Sequence, residues 1–149
     1  MEWINDLQGK TIGLDTAPLI YFIEENPTYI ETVRLFFEAM DRDEFLVVTS
    51  TVTLLEVLVH PLRINNKALA AEYRDILLHS KLLTLEISNV ISEQAARLRA
   101  VYNLRTPDAI QISAALDAGA THFFTNDIRL PDMPSLKVLS LDALVQKQK

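Results

Sequence analysis

The sequence contains no cysteine, which excludes disulfides, thiolate nucleophiles and cysteine-ligated zinc and gives no sign of an oxidising compartment. Glycine is scarce too. With three, at positions 9, 13 and 119, neither a dinucleotide-binding fingerprint nor a Walker-type phosphate loop can be written. No apolar run approaches the roughly 20 residues of a membrane-spanning helix. The opening Met1-Glu2-Trp3-Ile4-Asn5-Asp6 is acidic and polar where a secretory signal is basic and then apolar. The expectation is a cytoplasmic protein with no membrane partner. Aromatics are few, and Trp3, Tyr21, Phe36 and Phe37 read as core or dimer packing rather than a base-stacking platform. His60, His79 and His122 have no partners at metal-ligand spacing and no nearby nucleophile-elbow serine, so no chemistry is assigned to them.

What remains is ordinary for one folded domain. The chain has 149 residues, 49% apolar and 23% charged, enough to bury a well-formed core without staples. Positive charge is in deficit: 14 basic residues against 20 acidic give a net −6, which argues against a polyanionic partner. The distribution is uneven, however. From His60 to Arg105 there are seven basic and four acidic residues, a net +3, so the remainder carries −9. That asymmetry hints at one face for a polyanion and an acidic remainder able to hold cations. Arg63, Lys67, Arg97, Arg99 and Arg105 are the candidates for contacts to the phosphates of such a polyanion.

Short β-branched or apolar runs alternate with stretches of helical period, the pattern of a parallel sheet covered by helices. Strands are expected at Thr11 to Asp15, Phe45 to Thr49, Leu82 to Leu85, His122 to Thr125 and Leu136 to Leu139. Between them, a short helix follows Asp15-Thr16 with Pro18 in its first turn and ends at Pro27. A capping box, Thr28-x-x-Glu31, opens a helix running to about Arg42. Val52 to His60, stopped by Pro61, then Asn66 to His79 and Asn89 to Tyr102 complete the middle of the chain. Thr106-Pro107-Asp108 reads as a helix start with Thr106 as N-cap, and Gly119 as its stop.

In an open parallel sheet, ligands collect beyond the carboxyl ends of the strands. Asp15 closes the first strand, Asp127 follows the fourth, Asp108 opens the helix leading to the fourth, and Glu56 interrupts the apolar run Val52, Leu54, Leu55, Val57, Leu58, Val59. All four can meet at one edge. Carboxylates so distant in sequence cannot form a local calcium loop, and packed together they repel unless a hard cation neutralises them. Mg²⁺ or Mn²⁺ are the natural occupants. Water on such an ion can attack phosphorus, which makes phosphodiester hydrolysis the chemistry in view. Capping alone also favours aspartate at strand ends and helix starts, so each residue taken singly has a purely structural alternative.

Ile12-Gly13-Leu14-Asp15-Thr16, Leu54-Leu55-Glu56-Val57, Thr106-Pro107-Asp108-Ala109-Ile110 with Ala114-Ala115-Leu116, and Phe124-Thr125-Asn126-Asp127 together resemble a PIN domain, from Ile12 to about Leu141. At this size the series is similar to the VapC-like toxins of bacterial and archaeal toxin–antitoxin pairs. The resemblance implies a three-layer α/β/α domain with a central parallel sheet in the order 3-2-1-4-5. It further implies a Mg²⁺- or Mn²⁺-dependent endoribonuclease, commonly a homodimer silenced by a cognate antitoxin. By position, Asp15, Glu56 and Asp108 are the principal acidic residues around the metal and Asp127 the fourth, with Thr16 a polar neighbour and Thr125 and Asn126 in support. Two features depart from the family: Gln111 and Ser113 stand where the helix after Asp108 is usually more apolar, and the overall charge is acidic. The alternative is a catalytically silent PIN-like binding module that holds a structural metal or a protein partner.

Overall fold

A computed structural model describes residues 2–147. In chain order the elements are α1 (Glu2–Asn5), β1 (Thr11–Leu14), α2 (Thr16–Ile23), α3 (Ile30–Asp41), β2 (Leu46–Ser50), α4 (Thr51–Arg63) and α5 (Lys67–His79). They continue as β3 (Leu83–Leu85), α6 (Asn89–Tyr102), α7 (Thr106–Asp117), β4 (His122–Thr125), β5 (Lys137–Ser140) and α8 (Leu141–Lys147). The five strands form one parallel sheet in the order β3-β2-β1-β4-β5, as the resemblance implied.

Alternation along the strands sorts the core into two layers, because successive side chains leave opposite faces of a sheet. Ile12, Leu14, Val47 and Phe124 point to the side covered by α1 to α5 and α8, where Phe36, Phe37, Tyr73 and Leu141 complete a buried cluster. Val48 and Phe123 point the other way, onto Leu98 of α6 and Ala109, Ile112 and Ala115 of α7. On α3 the buried Val33, Phe36, Phe37 and Met40 recur at the spacing of one helical face. Gly13, on β1, lies under α7: a Cβ there would fall 2.6 Å from Ala115 Cβ and 2.8 Å from Phe123 Cδ1. Only a residue without a side chain lets the helix sit that close.

Several local expectations are corrected. Asp15 is not the last residue of β1 but the N-cap of α2, its carboxylate accepting the Thr16 N–H at 2.8 Å. The Thr28–Glu31 capping box does not form. Helix α3 begins at Ile30 behind Tyr29 with no side-chain cap, and Asn26 Oδ1 instead accepts the Thr28 N–H, folding the chain locally in a turn. Pro61 does not stop α4. It sits in the last turn, where one missing donor breaks one hydrogen bond, and the buried ring offsets that loss. Thr106 is the first residue inside α7; the capping position belongs to Arg105, which contributes no capping hydrogen bond. Helices α1 and α8 add to the expected elements at either end of the described chain. No helix among the described residues is long and apolar enough to cross a membrane.

Candidate active site

The four acidic residues approach the same edge of the sheet from four elements. Asp15 caps α2 at the end of β1, Glu56 projects from the second turn of α4, Asp108 lies in the first turn of α7, and Asp127 follows β4. All four line one open cavity of about 390 Å³, together with Thr16, Tyr21, Arg105, Asn126 and Arg129. Strand order explains the convergence. β1 lies between β2 and β4, so the segments leaving all three strands emerge side by side.

Two threonines tie the acids together. Thr16 donates its backbone N–H to Asp15 Oδ1 at 2.8 Å and its hydroxyl to Glu56 Oε1 at 2.6 Å, so one residue orients two carboxylates. Thr125 donates its hydroxyl to Asp15 Oδ2 at 2.7 Å and accepts the Asp127 N–H at 3.0 Å. Both oxygens of Asp15 are therefore fixed. Burial pushes the Asp15 carboxyl above its ordinary range; the Thr125 and Thr16 hydrogen bonds oppose that rise, and the nearby charges of Asp108 and Glu56 add to it. The rise is thus chiefly an effect of burial, to which the neighbouring carboxylates contribute less. Asn126 behaves differently: its Oδ1 accepts the Asp142 N–H at 3.2 Å, holding the start of α8.

The other two acids are held by arginines. Arg105 Nε donates to Asp108 Oδ2 at 2.9 Å, and Arg129 pairs with Asp127 through Nε and Nη2, each at 2.9 Å. Asp108 and Asp127 are only 12% and 17% exposed while their arginines are largely in solvent. The Arg129 hydrogen bond holds the Asp127 carboxyl below its ordinary range. Consistent with this pairing, no three Asp, Glu or His side chains among the described residues are gathered closely enough to ligate one ion. The donor set itself, four carboxylates and hydroxyl oxygens, is that of a hard divalent cation such as Mg²⁺ or Mn²⁺. It fits the group once Asp108 and Asp127 exchange guanidinium for metal.

Of the five basic residues singled out in the sequence, Arg105 alone lines the cavity. Arg63 ends α4 and Lys67 begins α5, at the turn between those helices; Arg97 pairs with Glu93 on α6, and Arg99 donates to the Leu104 carbonyl. Arg129 lies outside the basic stretch from His60 to Arg105, yet Asp127-Ile128-Arg129 places a cation two residues from a predicted site acid. Tyr21 is likewise more than core: it is half-buried, lines the cavity and stacks on Tyr29 with ring centroids 4.5 Å apart. No histidine lines the cavity.

The PIN domain family profile matches residues 12–136, and the chain belongs to that family. Among curated proteins none matches in sequence. Among solved structures, the VapBC2 complex of Rickettsia felis bound to a promoter DNA fragment superposes with a TM-score of 0.70 at 19% identity, over 87% of this chain and 98% of that one. A toxin–antitoxin complex from Klebsiella pneumoniae gives 0.67 at 22% identity, over 88% and 97%. VapC20 of Mycobacterium tuberculosis, a toxin that cleaves the sarcin–ricin loop, gives 0.62 at 16%, over 76% and 86%. These likenesses establish the fold.

Proposed function

We propose that the protein is a single PIN domain acting in the cytoplasm as a Mg²⁺- or Mn²⁺-dependent endoribonuclease, the toxin of a toxin–antitoxin pair. The observation that carries the reading is the meeting of Asp15, Glu56, Asp108 and Asp127, from four separate elements, in one cavity at the carboxyl edge of the sheet. When bound, a divalent ion lowers the pKa of a water and offsets the charge that builds on the phosphate in the transition state. Asp15, Glu56 and Asp108 would hold it, with Asp127 alongside. Thr16 and Thr125 keep Asp15 pointed into the cavity, and Arg105 and Arg129 stand at the rim to meet the RNA backbone. Cleavage leaves a 5′-phosphate.

Purified protein is expected to cut RNA, to stop in excess EDTA and to resume with Mn²⁺, while Asp108→Asn abolishes cleavage. Activity persisting in excess chelator overturns the reading. A second reading, a catalytically silent PIN-like binding module that holds a structural metal or a protein partner, is favoured by the Arg105–Asp108 and Arg129–Asp127 contacts, in which two of the acids already meet arginines. Protein that binds Mn²⁺ by calorimetry yet leaves a broad RNA panel intact over hours would establish that one.

The partner would be a basic, amphipathic antitoxin segment. A groove of about 490 Å³ between α2, α3 and α5 has Phe22, Phe37 and Met40 on its walls and Asp41, Glu72 and Asp75 at its rim, which suits such a segment in both polarity and charge. Coexpression with the product of the adjacent reading frame is expected to give a complex that Glu72→Lys with Asp75→Lys weakens. We further propose a homodimer, for which a light-scattering mass of twice 16.9 kDa is the expected result.

A further inference from the structure

Behind the acidic cavity lies a buried polar network that the cleavage reading leaves unused. Gln111, on the inner face of α7, is 3% exposed; Ser50 and Thr53 are fully buried and Thr49 is 3% exposed. Placing four polar side chains in a core is costly unless each is satisfied, and here each one is. Thr49 Oγ1 donates to the Leu14 carbonyl at 2.9 Å. Its single proton is thereby engaged, so in the 2.8 Å contact between Thr49 and Thr53 the donor is Thr53. Gln111 Nε2 donates to the hydroxyl of Thr53 and, at 3.4 Å, to that of Thr16. Ser50 Oγ donates to Gln111 Oε1 at 2.5 Å while accepting the Val52 N–H at 3.2 Å.

Every hydroxyl proton in the network has one destination, and the consequence falls on Thr16. With an N–H of Gln111 facing its oxygen from the interior, the Thr16 hydroxyl has its proton free for Glu56 Oε1, 2.6 Å away. Thr53 Oγ1, 3.3 Å from Thr16 Oγ1, is the competing acceptor, and Gln111 already donates to it. Glutamine is suited to this place because it accepts at one end and donates two N–H groups at the other. A leucine there would free Thr16 to turn inward to Thr53 and release Glu56.

We infer that Gln111 is a positioning residue which, through Thr16, turns the Glu56 carboxylate into the cavity it shares with Asp15, where a divalent cation would be held. The inference rests on the nuclease reading above and adds to it a residue that never touches the ion. Hydrogen-bond partners of metal ligands are typically worth 10–100-fold in metal affinity or activity. Mn²⁺ affinity measured by calorimetry, with kcat and KM at saturating Mn²⁺, should separate the roles. Gln111→Leu and Thr16→Val are each expected to weaken Mn²⁺ binding about tenfold, near the lower end of that range. Thr16→Ser, which keeps the hydroxyl, should stay within about twofold of wild type on the same scale. KM for RNA should be little changed, and kcat should recover as Mn²⁺ is raised.

Because Gln111 acts through Thr16, the double variant should bind Mn²⁺ no worse than either single one. Losses that multiply to about a hundredfold would overturn the coupling. A folded Gln111→Leu protein with wild-type Mn²⁺ affinity would overturn the inference outright. If Gln111→Leu fails to fold, Thr16→Val decides, and wild-type affinity in that variant has the same force. Wild-type protein that neither binds Mn²⁺ nor cleaves RNA would overturn the nuclease reading itself, whereas a flat variant series on an active wild type overturns the network alone.

Discussion

Replacing Gly13 by alanine tests the packing that sets α7, and with it Asp108 and Gln111, against the sheet. Its backbone is ordinary strand, so conformation alone would favour alanine by about 0.5–1 kcal/mol. Space argues the opposite. The new methyl would stand 2.6 Å from Ala115 Cβ and 2.8 Å from Phe123 Cδ1, where carbon contacts prefer about 3.5–4.0 Å. Both neighbours are buried, Ala115 on a helix and Phe123 within a strand hydrogen-bonded on both sides, so neither can retreat by the required ångström without moving its element. Overpacking of this kind costs about 1–3 kcal/mol, and two simultaneous contacts place Gly13→Ala at the upper end. For a chain of this length, about 3 kcal/mol lowers Tm by roughly 6–12 °C. Thermal and guanidinium unfolding followed by circular dichroism read this directly. Adding Ala115→Gly removes the nearer contact and should recover part of the loss, less about 1 kcal/mol for a glycine inside a helix. Gly13→Ala melting at or above the wild-type temperature would refute the reasoning, because the propensity gain would then be the larger effect.

The remaining expectations concern charge. Arg105→Ala and Arg129→Ala should each leave the melting temperature close to that of the wild type, since their guanidinium groups are largely solvated. Each should tighten Mn²⁺ binding in the absence of RNA while weakening RNA binding and reducing its salt dependence by about one unit of slope, as titrations at several salt concentrations would show. Asp15→Asn should abolish cleavage without lowering Tm: the amide oxygen still accepts one hydrogen bond, and a buried charge that Asp108 and Glu56 repel is gone. Burial, with Lys10 and Lys137 nearby, holds His122 below the ordinary histidine range. The unfolded chain then binds more protons than the native one as pH falls through about 6.5, so this residue's contribution to stability declines there. His122→Gln should flatten that part of the stability–pH curve; an unchanged slope would contradict it.

The sheet and the four acids were legible because period-two alternation and strand-end carboxylates are local signals whose meaning parallel topology fixes. Ile12, Leu14, Val47 and Phe124 announce one face, while Gly13, Val48 and Phe123 announce the other. What stayed hidden depends on groups far apart in sequence. Thr28 had a capping partner at the right spacing, but Asn26 competes for its backbone, and Tyr29 is anchored by stacking on Tyr21 and by donating to Asp142 at 2.6 Å. Pro61 stops a helix only when the turn it disrupts must continue. Gln111 looked like a misplaced polar residue until Ser50 and Thr53 closed around it, 61 and 58 positions away. The pairing of Arg129 with Asp127 needs no distant partner, since the two lie two positions apart, outside the basic stretch that ends at Arg105.

Since the cavity draws on positions from 15 to 129, it has no existence on a chain still being made. Until β4 takes its place beside β1, Thr125 cannot reach Asp15, and Asp15, Glu56 and Asp108 lack their last companion. A chain that stops short of β4 therefore holds at most three of the four acids and leaves Asp15 without its Thr125 partner.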